Sequence, residues 1–184
     1  MDSFTSLITG RRSTRKFQDK ALAAEEMELI LKAALMAPTS KSAYSWEFVV
    51  VNDADTLRQL ASCKKNGATF LDGCSSAVVV LGNTTSCDVW IEDASIASIF
   101  MQLQAEDLGI GSCWCQVRGR RTVIGQDSEE FVRDLLGIPG QFGVLSIIGF
   151  GYKDPDCSHV PKTGIKWDKV HTSKFKTPVD PLQA

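Results

Sequence analysis

The amino-acid sequence predicts an α+β fold in which a β-sheet lies between two layers of helices, a three-layer α/β/α sandwich. Apolar residues recur at helical spacing in two long segments, and short β-branched runs alternate with helical segments along most of the chain. This order of elements favours three packed layers. With 184 residues, 43% of them apolar, the chain is long enough to form one domain around its own core.

The first half of the chain predicts two helices and two strands. Apolar residues spaced three and four apart predict a helix from Leu22 to Met36, which Pro38 ends. Phe48 to Val51 and Ala77 to Leu81 are β-branched runs bounded by polar or turn-forming residues, as in buried strands. A shorter helix is expected between them, from Thr56 to Ala61.

The second half begins with a long predicted helix from Asp93 to Leu108. An acidic residue suits its N-terminus, and Gly109 suits a left-handed C-cap. Its alanines permit close packing on nearly every side, so we expect a central helix. Ser112 to Val117 and Val144 to Tyr152 are predicted strands, and Glu129 to Leu136 is a predicted helix.

The tail is polar from Asp154 onward and shows little periodicity. It contains four prolines: Pro155, Pro161, Pro178 and Pro181. Such a segment cannot form its own core and is expected to lie across another surface, such as a second subunit. We therefore divide the chain into a main domain of residues 1–161 and a C-terminal arm of residues 162–184.

Charge and hydropathy argue against two classes of partner. The formal net charge is -2, whereas proteins that bind nucleic-acid backbones usually carry a basic excess over a whole face. No run of 18 apolar residues and no signal-peptide pattern occurs in the sequence. We expect a cytoplasmic protein that binds neither nucleic acid nor membrane.

The six cysteines are scattered, which favours reduced thiols over a disulfide framework. No cysteine and histidine spacing suits zinc, so no metal site is expected. Cys113 and Cys115 are two residues apart on a predicted strand and should point to the same face. We weighed a redox pair against a packing role for them and favour packing.

The usual catalytic motifs do not occur in this sequence. There is no GxGxxG or GxxxxGK[ST] phosphate loop and no GxSxG elbow, and both histidines lie in the polar tail. No pair of carboxylates stands out by its spacing. If the protein is an enzyme, a bound cofactor should supply the reactive atoms, and side chains should hold any phosphate of that cofactor.

The segment "TGRRSTRKF" places four cations within residues 11–16, with two hydroxyl groups among them. Guanidinium groups bind phosphate through paired hydrogen bonds and stay charged at any working pH, and Ser13 adds a short donor. A terminal phosphate monoester is one ligand of this pattern. A solvated basic patch is the alternative.

Taken together, four segments resemble the FMN-dependent nitroreductase family. "RRSTRKF" is similar to the family pattern R-R-S-x-R-x-F, and "APTSKSAYSWEFVVV" is similar to A-P-S-x-x-N-x-Q-P-W followed by a strand. "DVWIEDASIASIFMQLQAEDLGIGSCW" is similar to the central helix of the short members with its L-G-L-G-S-C-W ending. "IGFGYKD" resembles the glycine-tyrosine-proline segment after the last core strand.

The resemblance implies three groups of FMN contacts. The phosphate and pyrimidine side would be bound by Arg11, Arg12, Ser13 and Arg15. The loop that reaches the flavin from the opposite subunit would comprise Pro38, Thr39, Ser40 and Ser42. The stretch beside the isoalloxazine ring would be Ser112, Cys113 and Trp114, with a backbone N–H serving the flavin N5 region and Gly109 and Gly111 allowing close approach.

Several positions depart from the family pattern. Ser42, Tyr44 and Ser45 replace the family's Asn, Gln and Pro. Tyr44 is assigned to the substrate pocket, with a loop-anchoring role as the alternative. Lys153 replaces the usual proline and is a candidate phosphate cation, with an exposed lysine as the alternative. Lys65, with its neighbours Lys64 and Asn66, falls where many members place a polar flavin contact.

The resemblance further implies a nitroreductase-like fold, with a mixed central sheet flanked by helices, in an intertwined homodimer with an FMN in each interface pocket. The arm would pack on the partner through Trp167 and Phe175. The implied activity is ping-pong hydride transfer from NADH or NADPH to an electron-poor acceptor, a nitroaromatic or a quinone. Flavin N5 carries this chemistry, so no catalytic side chain is assigned. The alternatives are a flavin-dependent relative with other chemistry, such as dehalogenation or flavin destruction, and a non-enzymatic anion-binding dimer.

Overall fold

The computed structural model describes residues 4–156 and 165–177. Helices and strands alternate along most of these residues, with short 3-10 turns at Ser40–Ser42, Thr69–Gly73 and Trp167–Lys169. In chain order the elements are α1 (Phe4–Gly10), α2 (Ala24–Leu35), β1 (Trp46–Val51), α3 (Ala54–Leu60), β2 (Ser76–Asn83), α4 (Trp90–Asp107), β3 (Ile110–Gln116), α5 (Ser128–Leu136) and β4 (Phe142–Tyr152). None of the helices in the described ranges is both long enough and apolar enough to cross a lipid bilayer.

The four strands form a sheet in the order β1-β2-β4-β3. Every neighbouring pair of strands is antiparallel. The sequence predicted a mixed sheet. In the described part of the chain, the only parallel pairing is one isolated bridge, which joins Ser13 to Ser112. The strands β1 and β3 form the two edges of the sheet.

Side chains alternate across the sheet and separate two apolar layers. On β2, Val79 packs into a layer with α3 and α5, whereas Val78 and Val80 pack into a layer with α2 and α4. All three valines are fully buried. Because β2 is apolar on both faces, helices must cover both sides of the sheet. The predicted three-layer sandwich is confirmed.

The helix α4 lies at the centre of its layer, as its alanines predicted. Ala94, Ala97, Met101 and Ala105 are fully buried along it. It contacts α1, α2 and all four strands. The helix begins at Trp90, three residues before the predicted start.

Two glycines make room for the first residue of α4. A Cβ atom at Gly82 would lie 2.3 Å from the Trp90 ring, and one at Gly143 would lie 2.6 Å from it. Such distances are far inside van der Waals contact, so only glycine admits the indole at these two positions. The Trp90 ring thereby fixes the N-terminal end of α4 on β2 and β4.

The helix α1 was not predicted. Its sequence, FTSLITG, is short and contains two threonines and a glycine, which favour helices weakly, and none of its residues is buried. It packs against α4. A helix that is stabilised by such a tertiary contact leaves little periodicity in the sequence.

The described part of the tail, residues 165–177, is almost entirely exposed. Its exposed side chains include Ile165, Trp167, Val170 and Phe175. The boundary predicted at residue 161 lies outside the described residues and stays a prediction. The exposed apolar groups are the feature of the tail that requires an explanation.

A buried thiol predicts loss of stability at alkaline pH. Burial raises the pKa of the Cys74 thiol to about 12, from an ordinary value of 9.0. The unfolded chain therefore loses this proton first, and the free energy of unfolding should fall as the pH rises from about 9 towards 12. Urea unfolding at several pH values will measure the slope.

Cys74→Ala is expected to reduce that slope by up to about 1.4 kcal/mol per pH unit. Val79→Ala, in the same apolar layer, is the control, because it should lower stability by the same amount at every pH. A slope in Cys74→Ala equal to that of the unchanged protein would contradict the assignment.

Candidate functional site

The basic segment, residues 11–16, runs along the outer edge of β3. The Thr14 N–H donates to the Ser112 carbonyl over 2.9 Å, beside the bridge between Ser13 and Ser112. The chain then crosses to the end of β4, where the Gln18 N–H donates to the Tyr152 carbonyl over 2.9 Å. Backbone hydrogen bonds at both ends therefore fix where the basic segment lies.

Two glycines allow this segment to lie close to the sheet. A Cβ atom at Gly111 would approach the Thr14 side chain to 2.8 Å, and one at Gly151 would approach the Phe17 ring to 2.9 Å. Thr14 is buried against β3, whereas Arg15 beside it is exposed. Gly111, expected to admit a flavin ring, thus accommodates Thr14 in this structure.

The arginines of the basic segment differ in their surroundings. The Arg12 Nη1 donates to the carbonyls of Thr9 at 2.6 Å and Arg11 at 2.8 Å, so part of this guanidinium is used at the end of α1. Arg11 and Arg15 form no ion pair with any described residue. These two positive charges are the ones left to attract an anion.

Two lysines predicted to bind the cofactor form other contacts in the structure. The Lys153 ammonium lies 2.9 Å from both carboxylate oxygens of Glu106 at the end of α4. The side chains of this pair are 22% and 14% exposed, so Glu106 largely neutralises the lysine in a shielded place. The Lys65 side chain is exposed, and its backbone N–H donates to the Arg121 carbonyl over 2.9 Å. Contact of either lysine with a phosphate stays a prediction.

The predicted ring-side residues lie on β3 beside the basic segment. Ser112 is buried, and its hydroxyl accepts a hydrogen bond from Gln102 of α4 over 3.3 Å. Burial raises the pKa of the Cys113 thiol, although the nearby Arg15 charge acts in the opposite direction. Cys113 and Cys115 belong to the same apolar layer, which confirms that they share a face and supports the packing role.

The outer edge of β3 offers a backbone donor. Successive peptide groups of a strand point to opposite sides, so the Trp114 N–H points to the same edge as the Ser112 carbonyl. Among the described residues, the basic segment supplies no backbone acceptor for the Trp114 N–H. A polar ligand placed beside Arg15 would find this donor at the strand edge.

The second group of predicted residues lies in the loop of residues 39–44, which is preceded by the exposed Pro38. Three residues of this loop that are not glycine have left-handed backbone angles, with φ of 51° at Lys41, 53° at Ser42 and 45° at Tyr44. The Thr39 hydroxyl accepts a hydrogen bond from the Tyr44 N–H over 3.3 Å. Such conformations are unfavourable for these residue types and concentrate at functional sites.

Both sequence interpretations of Tyr44 have structural support. Tyr44 is 59% exposed, which suits a pocket residue. The ring also meets the Trp46 ring edge-on, with centroids 5.9 Å apart, which suits an anchor of the loop. The exposed part of the ring is therefore held in a defined direction.

The structure does not bring the two groups of predicted residues together in one chain. The 39–44 loop is attached at Asp93, near the N-terminus of α4. The basic segment lies at the other end of α4, where Gly10 approaches Glu106. Asp93 and Glu106 are separated by about 20 Å along the helix axis, at 1.5 Å for each residue.

Sequence reasoning missed the residues that place these groups. Glu106, Thr14 and Gln102 carry no pattern of their own, because their importance depends on contacts across the fold. Asp93 was recognised only as a residue that favours a helix start. Its carboxylate instead accepts a hydrogen bond from the backbone of Ser40, far away in the sequence.

Comparison with known proteins adds independent information. A family model described as the nitroreductase family matches residues 8–80 and 64–152. A protein of Archaeoglobus fulgidus, whose name assigns it as an NADH dehydrogenase/NAD(P)H nitroreductase, is 32% identical over 180 residues, which cover 95% of this chain and 100% of that protein. The FMN reductase (NADPH) of Bacillus subtilis is 28% identical over 134 residues, which cover 62% of this chain and 54% of that protein.

A solved structure gives the same result for the fold. The FMN-dependent nitroreductase of Clostridium difficile R20291 is 40% identical, with a TM-score of 0.89 over 94% of this chain and 100% of that one. The helices and strands described above therefore follow an architecture already seen in an experimental structure.

The placement of the basic segment predicts a sensitive glycine. Gly111→Ala would drive a methyl group into Thr14 and should lower the free energy of unfolding by about 1–3 kcal/mol. It should also make the chain more susceptible to trypsin within residues 11–16, because the segment is no longer held against β3. Chemical unfolding and timed proteolysis will measure the two effects.

Gly73→Ala is the matched control, since no atom lies within 4 Å of its added methyl group. Its effect on stability should stay within about 0.5 kcal/mol. If trypsin cleaves Gly111→Ala as slowly as the unchanged protein, the position of the basic segment does not depend on this contact.

Proposed function

The chain belongs to the nitroreductase family, and from this we propose that it is an NAD(P)H-dependent FMN oxidoreductase that reduces an electron-poor acceptor such as a nitroaromatic or a quinone. The observation that carries the proposal is the placement of Arg11 and Arg15 beside the outer edge of β3, where neither guanidinium forms an ion pair with a described residue. The names of the relatives supply the cofactor and the reductant.

The residues at this edge fit FMN. Arg11, Arg15 and the hydroxyl of Ser13 provide charge and hydrogen bonds for a phosphate monoester. The Trp114 N–H offers a donor to the ring system at the edge of β3, and the Arg15 charge favours the anionic form that a reduced flavin adopts. We assign these four residues to the cofactor.

FMN bound at this edge would supply the redox chemistry, the transfer of a hydride from NAD(P)H to the acceptor in two half-reactions. The chain contributes position, a local positive field and shielding from water. One pocket serves the reductant and the acceptor in turn, so we propose ping-pong kinetics. A pocket that recognises its acceptor mainly through a stacking ring discriminates weakly, which favours a range of acceptors.

We propose a homodimer with an FMN in each of two interface pockets. The 39–44 loop and the basic segment lie at opposite ends of α4, so a second copy is needed to place a loop beside a basic segment. The central helix also leaves apolar side chains uncovered in one copy, with Ile99 39% and Phe100 37% exposed. A cavity of about 520 Å³ beside them is lined mainly by apolar groups, including Phe4, Leu7 and Leu103.

The C-terminal arm is the second element proposed to contact the partner. Its described residues present Ile165, Trp167 and Phe175 to solvent in a single copy. An exposed apolar series of this kind is typical of an interface. We place the enzyme in the cytoplasm, where its NAD(P)H reductant is found.

Removing the two unpaired charges should release the cofactor. Arg11→Ala combined with Arg15→Ala removes two charge-assisted contacts, so the Kd for FMN should rise by at least about 100-fold. The variant should stay folded and dimeric. Flavin absorbance after gel filtration, followed by anaerobic addition of NADH or NADPH, measures retention and reduction.

Arg58→Ala is the control, because Arg58 is an exposed arginine of α3 paired with Asp55. It should keep its FMN. Normal FMN affinity in the double variant would contradict the phosphate assignment. Retained FMN that no nitroaromatic or quinone reoxidises would favour another flavin chemistry, and a colourless unchanged protein would favour the anion-binding alternative.

A charge on the exposed face of α4 should dissociate the dimer. Phe100→Glu is expected to give a monomer in sedimentation or light-scattering measurements, because the carboxylate would be buried between the two copies. Ile124→Glu is the control, since Ile124 is 89% exposed in a turn far along the chain from α4. A dimeric Phe100→Glu protein would place the interface elsewhere.

A further inference from the structure

The carboxylate of Asp93 is buried in an unusual setting. Asp93 is 3% exposed, yet no lysine, arginine or histidine in the described ranges forms an ion pair with it. Its Oδ1 accepts a hydrogen bond from the Ser40 N–H over 2.9 Å, and its Oδ2 lies 3.9 Å from the Cys87 thiol. Burying a carboxylate without a cation is unfavourable, so the burial of Asp93 needs a structural or functional reason.

A role in capping α4 does not explain it. Capping requires a bond from the side chain to a backbone N–H of the same helix. The partner of Asp93 is instead 53 residues away, at the start of the 39–44 loop. Glu92, in the same helical turn, is exposed and offers the helix N-terminus the same negative charge.

The loop that Asp93 holds is strained and contributes to the proposed pocket. Lys41, Ser42 and Tyr44 all have positive φ values, which the surrounding structure must maintain. The Tyr44 ring rests on Trp46 at the end of the loop, and the Ser40 N–H is fixed at its beginning. Lys41, Ser42 and Ala43, which lie between Ser40 and Tyr44, are exposed.

The two residues that follow the loop are buried and carry polar groups. The Ser45 hydroxyl and the Trp46 Nε1 are buried without a hydrogen-bond partner among the described residues. Native proteins rarely leave such groups unsatisfied. Both atoms are shielded from solvent within a single chain, so these two side chains hold the end of the loop by packing rather than by hydrogen bonds.

We propose that Asp93 is a positioning residue of the redox site, which holds the 39–44 loop through the Ser40 N–H and thereby sets the direction in which Tyr44 meets the acceptor. This inference rests on the proposed function and deepens it. The bond acts on the loop that a second copy places beside the flavin. Because one pocket serves the reductant and the acceptor in turn, its loss should weaken the binding of both substrates more than it slows hydride transfer itself.

The test compares Asp93→Ala, Asp93→Asn and Glu92→Ala in the FMN-loaded protein. In Asp93→Ala, trypsin should cleave faster after the exposed Lys41, and the acceptor KM should rise about tenfold for the lost hydrogen bond. The KM for NAD(P)H should rise in the same direction, because both substrates use the pocket beside the loop. The rate of flavin reduction at saturating NAD(P)H should stay within about threefold of the unchanged protein, since this bond does not touch the reacting atoms. Asp93→Asn should behave normally, because the amide oxygen accepts the same bond.

Glu92→Ala is the matched control and should match the unchanged protein in both measurements. If Asp93→Ala leaves cleavage after Lys41 and the acceptor KM unchanged, the proposal is wrong. It is also wrong if Asp93→Asn is as impaired as Asp93→Ala, since charge rather than the hydrogen bond would then matter.

A second variant covers the case in which Asp93→Ala does not fold. Ser40→Pro removes the N–H donor and leaves Asp93 in place. Proline suits the first position of the Ser40–Ser42 turn, and Thr39 already has the extended backbone that a following proline requires, with φ of -129° and ψ of 152°. It should reproduce faster cleavage after Lys41 and the higher acceptor KM, and normal values of both would overturn the proposal.

Proteolysis separates this inference from the proposed function. A protein that binds no FMN would disprove the function, yet cleavage after Lys41 would still report whether Asp93 holds the loop. An active enzyme whose Asp93→Ala variant behaves normally would disprove only the positioning role.

Discussion

The packing of α4 against the sheet is the constraint on which the rest of the structure depends. The Trp90 ring fits against Gly82 and Gly143, which fixes one end of the helix. The buried alanines then let α1, α2 and the strands approach the helix closely. Near its beginning Asp93 holds the 39–44 loop, and near its end Glu106 binds Lys153. One rigid element thus positions both groups of site residues.

Some of the cations near the outer edge of β3 form internal contacts, and others are proposed to bind an anion. Lys153 and part of Arg12 are used in internal contacts, which orient the chain around the basic segment. Arg11 and Arg15 form no ion pair within the described part of the chain. An anion that enters this region therefore meets two charged side chains on a backbone that hydrogen bonds already hold against the sheet. Preorganisation of this kind reduces the ordering that binding requires.

Periodicity and residue type were sufficient to predict most of the elements, because their apolar faces are buried locally in one of two layers. The β2 run is buried on both faces and was recognisable without any knowledge of its neighbours. The helix α1 was not recognisable, since it depends on contact with α4. In the candidate site the basic segment was predicted from its charges and its family resemblance. The Lys153–Glu106 pair and the left-handed residues of the 39–44 loop were not, because they arise from contacts between distant residues.

The sheet order has a further consequence, because its two edges are protected to different degrees. The basic segment covers part of the β3 edge, where Thr14 donates a backbone hydrogen bond to Ser112. The β1 edge has no strand beside it in the described part of the chain, and its sequence, WEFVVV, strongly favours strand pairing. A single copy of the chain would therefore be prone to aggregate through β1, with Glu47 as the charged side chain that opposes it. Aggregation during storage or refolding is therefore expected to start at this strand.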